Sequence, residues 1–158
     1  MGVISRTEFL VLSFCSELRA QYFYLRRERV MDEEKFDFEN LKAYQKALEY
    51  VDFVYEITRN FPKAEILSLT DQFKRASISI CLNIAEGSGG SKVEFNRFLK
   101  IARRSIRECV SITEISYRQK FIDDKFKQRS RKFCVELSKM VNGLMRSLKG
   151  SERDAPNS

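Results

Sequence analysis

"DQFKRASISICLNIAEGSGGSKVEFNRFLKIARRSIREC", residues 71–109, decides how the rest of the chain is read. Gly87, Gly89 and Gly90 cluster in it, followed by Ser91 and Lys92. Glycines beside a lysine at the mouth of a helix form either a phosphate cradle or a plain turn. A Walker A loop needs Gly-Lys-Ser/Thr, but here Lys92 follows Ser91 and precedes Val93. The dinucleotide fingerprint fails as well, because Lys92 falls where its last glycine belongs. The spacing instead predicts a helix-to-helix turn. Gly87 stands where helices commonly end in a left-handed residue, and Ser91 to Glu94 has the capping-box pattern that opens the next helix. Anion contact at that helix start, assisted by Lys92, is the alternative reading.

Working outward, the spacing of apolar residues predicts four helices. Leu41, Tyr44, Leu48, Val51 and Tyr55 step by three or four, which places a first helix over 38–61, closed by Pro62. Ser68, with Asp71 three residues on, is expected to open a second helix running to Glu86. The third starts after the glycines and reaches about Phe121, with Phe95, Phe98 or Leu99, Ala102, Ile106, Cys109, Thr113 and Tyr117 as its seam. Asp123 or Asp124 caps a fourth, in which Phe133, Leu137, Met140 or Val141, Leu144 and Leu148 face inward and Gly150 ends the helix. Four amphipathic helices with short links predict an all-α, antiparallel, up-down-up-down four-helix bundle.

The bundle is expected to occupy residues 32–150, with a polar tail at 151–158 and an extension at 1–31. In the extension, "FLVLSFC" (9–15) is too short to cross a membrane, and the segment lacks the basic start and cleavage site of a signal peptide. An extra helix or a disordered segment would fit it. The preferred reading is that "RRERVM" (26–31) is encoded by a purine-rich ribosome-binding site ahead of an initiator codon for Met31. Terminal mass spectrometry tests this, and a peptide from residues 2–25 of the native protein refutes it.

Composition narrows the chemistry. The chain has no histidine, which removes His-based triads, His-ligated zinc and the Glu-x-x-His di-iron sites of some bundles. Cys15, Cys81, Cys109 and Cys134 are far apart and mostly lie in apolar helical stretches, so they read as buried thiols in a reducing, cytoplasmic setting rather than a metal site. No metal or cofactor is expected. The net charge of +7 is unevenly placed: residues 92–132 hold 13 Lys/Arg against 5 Asp/Glu, a local +8. Such a block attracts polyanions, nucleic acid first.

Two polar patterns are candidate sites. Gln72, Arg75, Ser79, Asn83 and Glu86 form a row on the second helix, read as a partly buried network in which Glu86 meets Arg97 or Arg103, or else as a wet face. On the third helix Arg97, Lys100, Arg104 and Arg107 form a basic stripe that continues to Arg118, with Arg103 to one side and Lys92 at its start. No base-reading motif accompanies the stripe, so phosphate contact would dominate. A catalytic use of Asn83, Glu86 and Arg103 is the weakest option, and no enzymatic activity is expected.

The string carried by Gln72, Arg75, Ala76, Ser79, Ile80, Asn83, Ile84, Ala85, Glu86 and Gly87 resembles the four-helix-bundle family of proteins encoded in 23S rRNA intervening sequences. That family includes the accessory variability proteins of diversity-generating retroelements. The resemblance covers roughly Phe38 to Met145. It implies a non-enzymatic bundle, often a homopentamer, and in the retroelement branch a basic protein that binds RNA or DNA and a reverse transcriptase. Members commonly have Gly-Ser where this chain has Arg104-Ser105, which adds a charge to the third helix. The resulting expectation is a non-enzymatic oligomer that contacts a nucleic-acid backbone; the alternative is a scaffold that binds protein only.

Overall fold

The computed structural model describes residues 35–153; the readings of residues 1–31 and of the end of the tail lie outside the described residues. Four helices carry the fold: α1 (Lys42–Thr58), α2 (Asp71–Ser88), α3 (Lys92–Arg118) and α4 (Asp124–Arg153). Among the described residues there is no strand. Helix α1 packs on α2 and α4, and α3 packs on the same two, so the helices form a closed square in chain order. Successive helices run antiparallel, as an up-down-up-down bundle requires. The α1–α2 pair and the α3–α4 pair consequently occupy opposite sides of the square.

Helix α1 departs from the predicted seam. It begins at Lys42, after a 3-10 turn at Asp37–Asn40 in which the Phe36 amide donates to the Glu39 carboxylate at 3.3 Å. Its buried face is Ala43, Ala47, Tyr50, Phe53, Val54 and Ile57, whereas Leu48 and Tyr55 are exposed. Two apolar stripes run side by side on this helix. The one containing alanines and aromatics faces inward because small residues allow the neighbouring helices to come close.

Helix α2 is not capped by Ser68. A π-helical turn at Ile66–Thr70 leads directly into it, and the Ser68 hydroxyl turns back to the Glu65 carboxylate. The helix continues past Glu86 to Ser88. Helix α3 ends at Arg118, three residues before Phe121, in a Schellman motif: the Lys120 amide donates to Tyr117 O at 3.0 Å and the Phe121 amide to Ser116 O at 2.9 Å. Lys120 takes the left-handed position with φ 61°, where glycine is usual. Asp123 caps α4, its Oδ1 accepting from the Phe126 amide at 2.8 Å. That helix passes through Gly150 to Arg153 instead of ending there.

The core is aromatic and aliphatic, with Tyr50, Phe53, Phe73, Ile80, Ile84, Leu99 and Leu137 fully enclosed. Phe61 and Phe121 close one end, their ring centroids 5.5 Å apart. Within this core runs a chain of hydroxyls. Cys134 Sγ donates to Tyr50 Oη at 3.3 Å, Tyr50 Oη lies 3.0 Å from Ser130 Oγ, and Ser130 Oγ lies 2.8 Å from Thr113 Oγ1. Thr113 donates its proton to Cys109 O at 2.8 Å, and that fixes the direction of every bond upstream. Ser130 must donate to Thr113, and Tyr50 to Ser130. The chain joins α1, α4 and α3 and ends on a backbone carbonyl, so each hydroxyl proton is used.

Burial also sets a pH limit. It pushes the Cys81 and Cys134 thiols up to about 11, the Cys109 thiol further, and the Tyr50 hydroxyl well above its ordinary value. The folded protein thus holds protons that the unfolded chain releases above about pH 8.5–10. Stability is fully present below that range and is lost as pH rises through it, by about 1.4 kcal/mol per pH unit for each group then ionised only in the unfolded chain. With no histidine to titrate, thermal midpoints are expected to be nearly flat from pH 6 to 8 and to fall steadily from pH 9 to 11.

Gly143 offers a test of opposite sign. A Cβ built there meets nothing within 4 Å, and the residue lies inside α4. Gly143→Ala is expected to stabilise the protein by about 0.5–1 kcal/mol, read as a higher urea midpoint.

Candidate nucleic-acid interface

The glycine turn takes a form the spacing did not anticipate. Gly87 lies within α2 and is buried, while the cap falls on Gly89, whose φ of −84° is right-handed. No described glycine has positive φ. What requires glycine at 87 is space: a Cβ there would lie 2.6 Å from Phe98 Cβ and 2.9 Å from Phe95 Cδ2, where the first turns of α3 fold back on α2. The capping box is present as expected. Ser91 Oγ accepts from the Glu94 amide at 3.3 Å, and Glu94 Oε2 accepts from the Ser91 amide at 2.9 Å and its hydroxyl at 2.7 Å. These bonds, the Ser91 hydroxyl's first, lower the Glu94 pKa. An anionic carboxylate already occupies the start of α3, which disfavours a phosphate at that point.

The polar row divides. Ser79 and Asn83 are half-buried at the α2–α3 contact: Ser79 Oγ lies 2.9 Å from Ser105 Oγ, and Asn83 Nδ2 donates to Ser79 O at 2.7 Å. Ser105 is buried at this contact, while Arg104 beside it is exposed. Gln72 reaches the Glu108 carboxylate of α3. Arg75 and Glu86 are exposed, and Arg75 pairs within its own helix with Asp71 at 3.8 Å. The expected contact of Glu86 with Arg97 or Arg103 is not made. Arg103 instead crosses to α4, donating to Asn142 Oδ1 at 3.4 Å. Asn83, Glu86 and Arg103 therefore do not converge.

The basic stripe stands on the outward face of α3. Lys92, Arg97, Lys100, Arg104, Arg107 and Arg118 are all exposed. Arg97, Lys100, Arg104 and Arg107 make no ion pair with any described acid. Arg118 differs, because its Nε sits 3.1 Å from Glu114, a carboxylate that Lys127 also holds at 2.9 Å. The Lys127 bond first, and then the Arg118 bond, draw the Glu114 pKa down. The part of the stripe free of ion pairs is thus the three turns from Arg97 to Arg107.

Sequence reasoning counted the cations of α4 up to residue 132 in its charge block but placed none of them in a site, and it left out those further along the helix. Arg131, Lys139, Arg146 and Lys149 are exposed. Residues 131, 135, 139, 142 and 146 repeat at helical spacing, and Asn142 fixes that edge of α4 against α3. A groove of about 340 Å³ runs between the helices, with Val110 and Val135 on its floor and Arg107 and Lys139 on its rims. Among the described residues no group of three or more His, Cys, Asp or Glu side chains is placed to hold a metal, and no helix is long and apolar enough to cross a membrane.

These features define an antiparallel four-helix bundle with one strongly basic side. Residues 39–143 match the model of the 23S rRNA-intervening sequence protein family, and the chain belongs to that family. It is also similar to a solved structure from Bacteroides thetaiotaomicron VPI-5482, described as a protein with unknown function from the S23 ribosomal protein family. The two are 21% identical, with a TM-score of 0.60, over 66% of this chain and 95% of that one. No curated protein matches the chain.

Proposed function

We propose that this protein is a non-enzymatic, self-associating helical bundle that binds the backbone of RNA or DNA through α3. The observation that carries the reading is the set of exposed cations that form no ion pair with a described acid, Arg97, Lys100, Arg104 and Arg107, on one face of one helix. Phosphate contacts of this kind confer affinity without sequence preference and weaken with salt. The test is fluorescence anisotropy with a labelled 20-nucleotide RNA of mixed sequence across a KCl series. Arg97→Glu, Arg104→Glu and Arg107→Glu together are expected to cost at least about tenfold in affinity and to flatten the log–log salt slope by about 2, at roughly 0.7 per contact on a single strand. A triple variant that binds like the parent refutes the reading.

Self-association is supported by the opposite side of the square. Leu48, Tyr55 and Leu82 are 42%, 41% and 59% exposed on α1 and α2, with Tyr44, Val51 and Ile78 half-buried beside them. Contact between copies there leaves the basic side free. A pentamer is the state the family resemblance implies, and native mass spectrometry counts the copies. Leu48→Glu with Leu82→Glu is expected to reduce the assembly to monomers; an unchanged mass places the contact elsewhere.

A further inference from the structure

The basic side is built by two helices, although the basic stripe read from the sequence lies on α3 alone. Arg103 and Asn142 bond across the contact, and Arg107 shares a groove with Ser138 and Lys139, which sets the register of the antiparallel pair. Lys100 lies one turn before Arg103, and Arg146 one turn beyond Asn142, so both fall on the same seam. Lys149 continues that edge of α4. Lys100, Arg107, Lys139, Arg146 and Lys149 are all exposed, and none forms an ion pair with a described acid.

Between Arg107 and Lys139 the groove is lined by Ile106, Val110, Cys134, Val135 and Ser138, so no carboxylate opposes a polyanion in that stretch and no aromatic ring is offered for a base to stack on. Its floor is shallow and aliphatic, with Val135 52% exposed, and it lacks the deep pocket that an anchoring side chain of a protein partner would fill. Two rows of cations along a smooth floor suit a phosphate backbone.

We infer that the nucleic acid lies along the α3–α4 seam and is held from both rims, with Lys139, Arg146 and Lys149 of α4 contacting phosphates opposite Lys100 and Arg107 of α3. This rests on the nucleic-acid reading above. From Lys139 to Lys149 the seam runs about 15 Å at about 1.5 Å per residue. That length spans about four phosphates at about 3.4 Å each along one strand. Arg103, tied to Asn142, acts as the pin that keeps the rims in register.

The experiment uses the full chain, the same labelled 20-nucleotide RNA and the KCl series. Lys139→Glu, Arg146→Glu and Lys149→Glu together leave α3 untouched and are expected to weaken binding at least tenfold near 100 mM KCl. The log–log slope falls by about 2, at roughly 0.7 for each lost single-strand contact. The charge-preserving variant Lys139→Arg, Arg146→Lys and Lys149→Arg retains binding, and circular dichroism shows unchanged helix content in both. If the α4 charge reversals bind with parental affinity and slope while the α3 reversals do not, the seam is overturned and the α3 reading stands. If the parent protein shows no salt-dependent binding, both fall. Poly-glutamate binding more tightly than the RNA would assign the seam to an acidic protein and overturn the inference.

Discussion

Tyr50→Ala is expected to destabilise the protein by about 3–5 kcal/mol, the range for truncating a large aromatic in a well-packed core. Tyr50 is fully enclosed, its ring 5.5 Å from that of Phe133 and 6.2 Å from that of Phe53. Alanine opens a cavity and also removes the second member of the hydroxyl chain. The polar part separates cleanly in Tyr50→Phe, which keeps the ring. Cys134 then loses its acceptor and Ser130 its donor, at a cost of about 1–2 kcal/mol. Urea unfolding at fixed protein concentration measures both, and a cycle with Ser130→Ala isolates the coupling, expected at about 1 kcal/mol. Because the chain of donors has one direction and spans three helices, its coupling reports on helix register. Additive effects of the two substitutions would show that Tyr50 acts by packing alone.

Gly87→Val is the second large effect, expected at about 3 kcal/mol of destabilisation, the upper part of the overpacking range. The atom in the way is Phe98 Cβ, which is fixed to the backbone of α3 and cannot swing aside as the end of a side chain could. Relief requires the first turns of α3 to move off α2. Gly87→Ala is intermediate: it gains up to about 1 kcal/mol of helix propensity, which offsets part of the clash. The contrast with Gly143→Ala is the diagnostic. One glycine in a helix is there for closeness and the other for no packing reason, so the same substitution changes sign between them. If Gly87→Ala raised the urea midpoint as Gly143→Ala does, the close α2–α3 contact would be wrong.

The architecture was legible because its signals are local. Three- and four-residue spacing marked each helix, Asp123 and the Ser91–Glu94 box marked two starts, and short polar links set the antiparallel order. The basic stripe was legible too, since Arg97, Lys100, Arg104 and Arg107 share a face by spacing alone. Errors arose where a local pattern had two solutions. On α1, two adjacent apolar stripes satisfy the same period, and only the approach of α2 and α4 selects Ala43, Ala47 and Tyr50 over Leu48 and Tyr55. At Gly87 a cap and a close contact look alike in sequence, because both ask for the absence of a side chain. The end of α3 was placed three residues late for the opposite reason: Lys120 holds a left-handed position that no glycine advertises.

By itself the sequence determined a four-helix, histidine-free, basic chain with a glycine-rich turn and a charged third helix. Those properties follow from composition and from intervals shorter than two helical turns. Tertiary structure alone decided that Arg103 bonds to Asn142, that the hydroxyl of Tyr50 is committed to Ser130, and that Arg107 and Lys139, 32 residues apart in sequence, flank one groove. Each of these depends on the register between antiparallel helices. That register is set by how side chains from different helices interlock, a property of pairs of surfaces rather than of any one stretch of chain.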